Sequence, residues 1–190
     1  MTPTPATFAR LGALVFVTVI LQVAGVATLH VWGASPDLVP LLVGVVALLG
    51  GSVPAAIVGF SCGLLLDLAL GQPLGASSLV LTAVGYGVGR YREVRDPSHG
   101  LLPIPVGAAA TAGYVVGFAA LSFMLEVRGP VSASVLREMI ITILLNALLA
   151  LLFFPIVRRF LRPALVADPR ERRRPRTATS GPLGLRGLEI

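Results

Sequence analysis

The sequence predicts an all-α polytopic membrane protein with six transmembrane helices, and three observations carry that prediction. The first is composition. The chain has 190 residues, a mean hydropathy of +0.88, 55% hydrophobic residues and only 13% charged ones, a balance that cannot supply the polar shell of a water-soluble fold. The second is the length of its uncharged runs: 11–29 (19 residues), 38–66 (29), 68–89 (22), 101–125 (25) and 139–157 (19). Each matches or exceeds the roughly 20 residues that a span needs. The third is punctuation, because Gly50-Gly51-Ser52-Val53-Pro54 breaks the longest run into two helices joined by a tight turn.

Residues 1–10 form a short cytoplasmic lead, with Arg10 marking the first membrane boundary. The first helix follows over 11–29. It is too long for the apolar region of a signal peptide, about 7 to 15 residues, and lacks a clear small-residue cleavage site, so it reads as an uncleaved span. His30 and Trp32 follow at headgroup level. Ser35-Pro36-Asp37 reads as the start of the second helix, with Ser35 as N-cap, Pro36 at the first helical position and Asp37 complementing the dipole. The 16 residues 36–51 give about 24 Å of helix, short for a span, so a re-entrant hairpin of helices two and three stands as the alternative to two crossings.

The third helix runs from Pro54 to about Gly71. Along it Gly59, Gly63, Asp67 and Gly71 recur every fourth residue, which puts three glycines and one carboxylate on a single drifting stripe. That stripe must face protein, because a mid-membrane aspartate in lipid costs about 2.5 to 3.5 kcal/mol and glycine's close approach is useful only against another helix. Helix four, from Ala76 to about Arg90, carries its own pair, Gly85 and Gly89, and packs on helix three as a close hairpin. A turn-rich loop at 96–100 leads to helix five over 102–125. Helix six starts near Arg137, passes Asn146 in its middle, meets Pro155 near its end and leaves through Arg158, Arg159 and Arg162. Asn146 needs a hydrogen-bond partner inside the bundle and reads as structural glue. Two Gly-Phe pairs, at 59 and 117, are too little to constitute an internal repeat. Residues 163–190, rich in arginine and proline, read as a disordered cytoplasmic tail whose charge suits an anionic membrane surface.

All 15 basic residues are arginine, which excludes lysine Schiff-base chemistry and a Walker-type phosphate loop. The single cysteine, Cys62, permits no intramolecular disulfide and reads as a packing residue. With His30 and His99 on separate loops, no catalytic triad, paired carboxylates or metal-ligand spacing emerges, so neither an enzyme nor a cofactor or metal site is expected. With six spans and the N-terminus inside, thirteen arginines fall on the inner face and only Arg128 and Arg137 on the outer. Both termini are therefore expected in the cytoplasm. Asp67 would lie about 6 Å below the outer end of helix three. Its expected partner is Arg137, in an ion pair closing helix three on helix six, with the N–H groups of the turn 71–75 as the alternative.

Ser-Pro-Asp-Leu-Val-Pro-Leu-Leu opening helix two, Gly-Phe-Ser-Cys-Gly-Leu-Leu-Leu-Asp with Pro-Leu-Gly at 73–75, and Asn-Ala-Leu-Leu-Ala followed by Phe-Phe-Pro and Arg-Arg together resemble the rod shape-determining MreD family over residues 11–162. The resemblance implies a six-helix domain similar to the substrate-capture subunits of energy-coupling-factor vitamin transporters, in the bacterial inner membrane. It implies a non-catalytic scaffold role in cell elongation, beside an MreC-like periplasmic scaffold, an MreB-like actin homologue, a RodA-like polymerase and its class B penicillin-binding partner. Membrane lipids are further expected partners and nucleic acid is not. A vitamin or small-solute capture subunit is the alternative function. For helix packing and partner docking the expected residues are Gly59, Gly63, Asp67, Gly71, Gly85, Gly89, Arg137 and Asn146.

Overall fold

The computed structural model describes residues 5–25, 34–94, 103–125 and 133–165, and these form six α-helices. They are α1 Pro5–Ala24, α2 Leu38–Gly50, α3 Ser52–Leu70, α4 Ala76–Val94, α5 Pro103–Met124 and α6 Ala133–Leu165. By length and composition three of them can cross a membrane, over Ser52–Leu70, Ile104–Met124 and Val135–Leu161. The expectations for His30, Trp32, His99, Arg128 and the tail beyond 165 lie outside the described residues.

The bundle is built around its shortest helix. α2 has 13 residues, about 20 Å of rise, and Leu38 through Leu48 are all buried. It packs against each of the other five helices. A helix apolar on every side belongs in such a centre. At one end Gly51, with φ +91°, turns the chain directly into α3, as the glycine pair in the sequence predicts. At the other end the prediction needs correcting, because Asp37 and not Ser35 is the N-cap. Asp37 sits in extended conformation and its carboxylate accepts from the Val39 N–H, while Pro36 lies before the helix. A side chain can reach the N2 amide from this position, and the shift moves Pro40, which has no N–H to satisfy, into the first turn.

Four further boundaries differ from expectation. α1 starts at Pro5, six residues before Leu11, and ends at Ala24, so residues 5–10 of the expected lead are helical and Arg10 lies within the helix. α3 starts at Ser52, two residues before Pro54, which leaves the proline inside the first turn where its missing donor does no harm. α4 continues past Arg90 to Val94, for a reason found in Glu93 below. α6 begins at Ala133 and continues through Pro155 to Leu165. Proline removes one helical bond but does not end a helix that neighbouring helices support.

The most extensive contact is between α3 and α4, and here the helices touch through backbone. A Cβ on Gly59 would collide with the Leu81 carbonyl, one on Gly63 with the backbone of Ser78, and one on Gly89 with that of Ser52; on Gly85 it would stand 2.7 Å from the Ala55 carbonyl oxygen. Gly71 does not belong with them. It is the left-handed C-cap of α3, φ +61°, with open space around it. Its N–H and that of Gln72 both reach the Asp67 carbonyl, a Schellman-type close for which glycine has no steric penalty.

Candidate functional site

Two groups of polar side chains are built into the described bundle. The first lies at the two ends of the α3–α4 hairpin. Asp67 is fully buried, and its carboxylate accepts from the Gly75 N–H at 2.8 Å and the Ser77 N–H at 3.2 Å. A carboxylate on the last turn of α3 thus caps the first turn of α4, where free amides and the positive end of the dipole favour it. At the opposite end Glu93, on the last turn of α4, accepts from the Ser52 N–H at 2.9 Å and the Ser52 hydroxyl at 2.7 Å. It thereby caps the first turn of α3. Gly51 makes this possible, since a Cβ there would stand 2.9 Å from the Glu93 carboxylate. Each helix supplies the cap of the other.

This reciprocity exposes an internal repeat that sequence reading missed. Gly59, Gly63 and Asp67 recur at an offset of 26 residues as Gly85, Gly89 and Glu93, and Ser52 recurs as Ser78. The repeated unit is glycine, glycine and acid at spacings of four, which places all three on one face. Laid antiparallel, the two units press glycine against backbone along their length and bring each acid to the other's N-terminus. The signal was present, but so few matching positions mean little until the antiparallel pairing shows what they do.

The expected Asp67–Arg137 ion pair is absent. Both Asp67 oxygens are taken by α4 main-chain donors, and Arg137 is exposed on α6. Among the described residues the salt bridge found is Arg90–Glu93 at 3.1 Å. Of the alternative partners in the turn 71–75, Gly75 holds the Asp67 carboxylate, joined by Ser77 of α4, because the stripe faces α4, whereas α6 packs chiefly on α5 and α2.

Glu93 lies beyond the uncharged stretch that ends at Gly89. The Ser52 backbone N–H, then the Ser52 hydroxyl, then Arg90 hold its carboxyl at about 2, below the ordinary 4.5. A depressed folded-state value means that the cap contributes fully above pH 4.5 and is lost as pH falls towards 2. Glu93→Gln is therefore expected to lower the thermal midpoint in detergent at pH 7, with the gap from the parent narrowing between pH 4.5 and 2. A gap that does not change across that window would count against the cap.

The second group clasps the entry to α2. Asn146 Oδ1 accepts from the Asp37 N–H at 3.0 Å, and its Nδ2 donates to the Asp37 carbonyl at 2.9 Å and to the Thr111 hydroxyl at 3.1 Å. Gln22 does the same from α1. Its Oε1 accepts from the Leu38 N–H at 2.8 Å, and its Nε2 donates to the Pro36 carbonyl at 3.2 Å. Thr142 Oγ1 adds a donor contact to the Ser35 carbonyl at 3.4 Å. Two amide side chains thus pair with the extended backbone on either side of Asp37 as a neighbouring strand would, halfway along α6. Asn146 was legible as a buried amide in an apolar run. Gln22 and Thr111 were not, since nothing local distinguishes them from an interfacial or lipid-facing polar residue.

In both groups the carboxylates and amides bind main-chain donors and acceptors, which holds segments together and offers no paired acid and base. Among the described residues no three His, Cys, Asp or Glu side chains converge on a metal-sized space. The free Cys62 is buried in the core beside Val58 and Leu66.

A hydrophobic bundle with a central half-length helix, three helices fit to cross a bilayer and two polar groups committed to internal bonds defines a helical membrane protein. Its family follows from the sequence match. Residues 6–164 fit the model of the rod shape-determining protein MreD, and the chain belongs to that family. No curated protein and no solved structure matches it. Membership implies a membrane protein with a role in rod shape determination, a shape-determining component rather than an enzyme.

Proposed function

We propose that this protein is a non-catalytic scaffold subunit of the cell-elongation machinery in the bacterial inner membrane. The observation that carries the reading is the family match, which runs from the start of α1 to the end of α6. In this reading the chain crosses the membrane six times with both termini in the cytoplasm, as the arginine distribution favours, and its fold is similar to that of vitamin-capture subunits. Its partners are an MreC-like periplasmic scaffold, a RodA-like polymerase with its class B penicillin-binding protein, and an MreB-like filament beneath the membrane. Gly59, Gly63, Gly85, Gly89 and Asp67 serve docking indirectly, by holding the hairpin closed. What a partner meets is its outer face, where Ile57, Phe60 and Leu64 of α3 and Leu79 and Tyr86 of α4 are exposed. Arg137 is exposed near the start of α6 and is available to the same end.

Depletion in a rod-shaped host is expected to produce rounded cells with delocalised MreC-like scaffold and polymerase, restored by the parent chain. Normal rods that lose uptake of a single vitamin would overturn this reading in favour of a capture subunit.

A further inference from the structure

A cavity of about 90 Å3 lies where the α3–α4 turn meets the end of α5. Pro73, Ala76, Phe118, Leu121 and Leu125 make its walls. Two polar side chains line it as well, Gln72 and Ser122. Ser122 is 7% exposed, and its hydroxyl makes no hydrogen bond to any described residue, so a buried donor opens into the cavity with its bonding capacity unused. A ligand that accepts from it would use that capacity.

Depth, wall chemistry and size narrow the ligand. Gln72 directly follows the C-cap of α3 and Leu125 directly follows the last residue of α5, and these are two of the three helices long and apolar enough to cross a membrane. The cavity therefore lies at the boundary between hydrocarbon and headgroups. Among the described residues its walls are apolar and its polar pair consists of neutral hydrogen-bonding groups, donors that suit the carbonyl of an ester. The volume is smaller than the ~150 Å3 of a cavity that accepts benzene, enough for the first carbons of a chain and not for a whole solute.

We propose that this cavity is a lipid subsite: the ester carbonyl of a membrane glycerolipid accepts from Ser122 and Gln72, and the first acyl carbons lie along Phe118, Leu121 and Leu125. Asp67 is a positioning residue for it, because its bonds to Gly75 and Ser77 fix the turn that carries Gln72, Pro73 and Ala76. The site holds whether or not the scaffold reading does, since it concerns the chain and the bilayer alone.

The test uses the full chain in phosphatidylethanolamine and phosphatidylglycerol vesicles doped with a phosphatidylethanolamine that carries a diazirine beside its acyl ester. After photolysis and digestion, adducts are expected to concentrate on peptides containing Phe118 to Leu125 and Gln72 to Ala76, above the level on the exposed α6 positions Leu144, Leu148 and Leu152. Ser122→Ala, which only removes the hydroxyl, is expected to lower that labelling about fivefold, the equivalent of one hydrogen bond. Ser122→Leu, which fills the space, should bring it down to the α6 level, while α6 labelling stays as in the parent. Uniform labelling of the two regions in the parent, or labelling indifferent to Ser122→Ala, would overturn the proposal. So would capture of a headgroup-borne diazirine in place of the acyl one.

Discussion

Gly63→Leu is expected to force α4 away from α3, with a loss of stability at or above the roughly 3 kcal/mol end of overpacking penalties. The obstacle is main chain. A Cβ at Gly63 runs into the backbone of Ser78, which has no rotamer by which to give way, and a leucine adds three more carbons to the same space. Moving α4 outward would also draw Ser77 off Asp67 and Ser52 off Glu93, since the caps bridge the same two helices. Gly89→Leu, the equivalent position of the repeat, should cost a similar amount through Ser52. The double variant should fall short of the sum, because one separation relieves both contacts. Gly87 is the control. It lies on the same helix with nothing within 4 Å of its Cβ position, and Gly87→Ala should raise stability by about 0.5 to 1 kcal/mol through helix propensity alone. Thermal midpoints in detergent read all four, and a Gly63→Leu midpoint no lower than that of Gly87→Ala would show that the close contact is not what holds the hairpin.

Asp67→Leu is expected to lose about 3 kcal/mol, because it leaves the Gly75 and Ser77 N–H groups buried without an acceptor, each worth roughly 1 to 3 kcal/mol. Asp67→Asn keeps one acceptor oxygen and gives up the charge that the α4 dipole favours, so about 1 to 2 kcal/mol is the expected loss. Arg137→Gln should be nearly silent, and its combination with Asp67→Asn strictly additive. A coupling of more than about 0.5 kcal/mol between these two positions would reinstate the ion pair and contradict the capping geometry.

The capping arrangement was only half legible. Asp67 announces itself as the single acid inside long uncharged runs, and its spacing from Gly59 and Gly63 correctly indicates a protein-facing stripe. Its partner could not be obtained that way, because a charge invites pairing with the nearest countercharge of suitable depth, and Arg137 fitted. Main-chain donors carry no residue letter. They enter only when the turn 71–75 has brought the start of α4 back over the end of α3. Glu93 was hidden for the opposite reason, since it lies among arginines in what reads as a solvated loop, and only the extension of α4 to Val94 delivers it to Ser52.

What the sequence determined by itself is whatever local chemistry dictates. The number of helices follows from uncharged runs and their breakers, because neither a charge in hydrocarbon nor a paired glycine in a continuous helix is neutral in energy. The break at Gly51 and the stop at Gly71 are of this kind, and so is the demand of Asn146 for a partner. The tertiary structure alone decided which helix is central, which glycines touch backbone and which terminate a helix, and where each buried polar group finds its complement. Those outcomes depend on contacts between residues tens of positions apart, such as Gln22 and Asn146 meeting on either side of Asp37. In a chain where nearly every helix face is apolar, hydrophobicity cannot rank one face above another. Close packing and the satisfaction of a few buried donors make that choice, and both exist only once the helices are assembled.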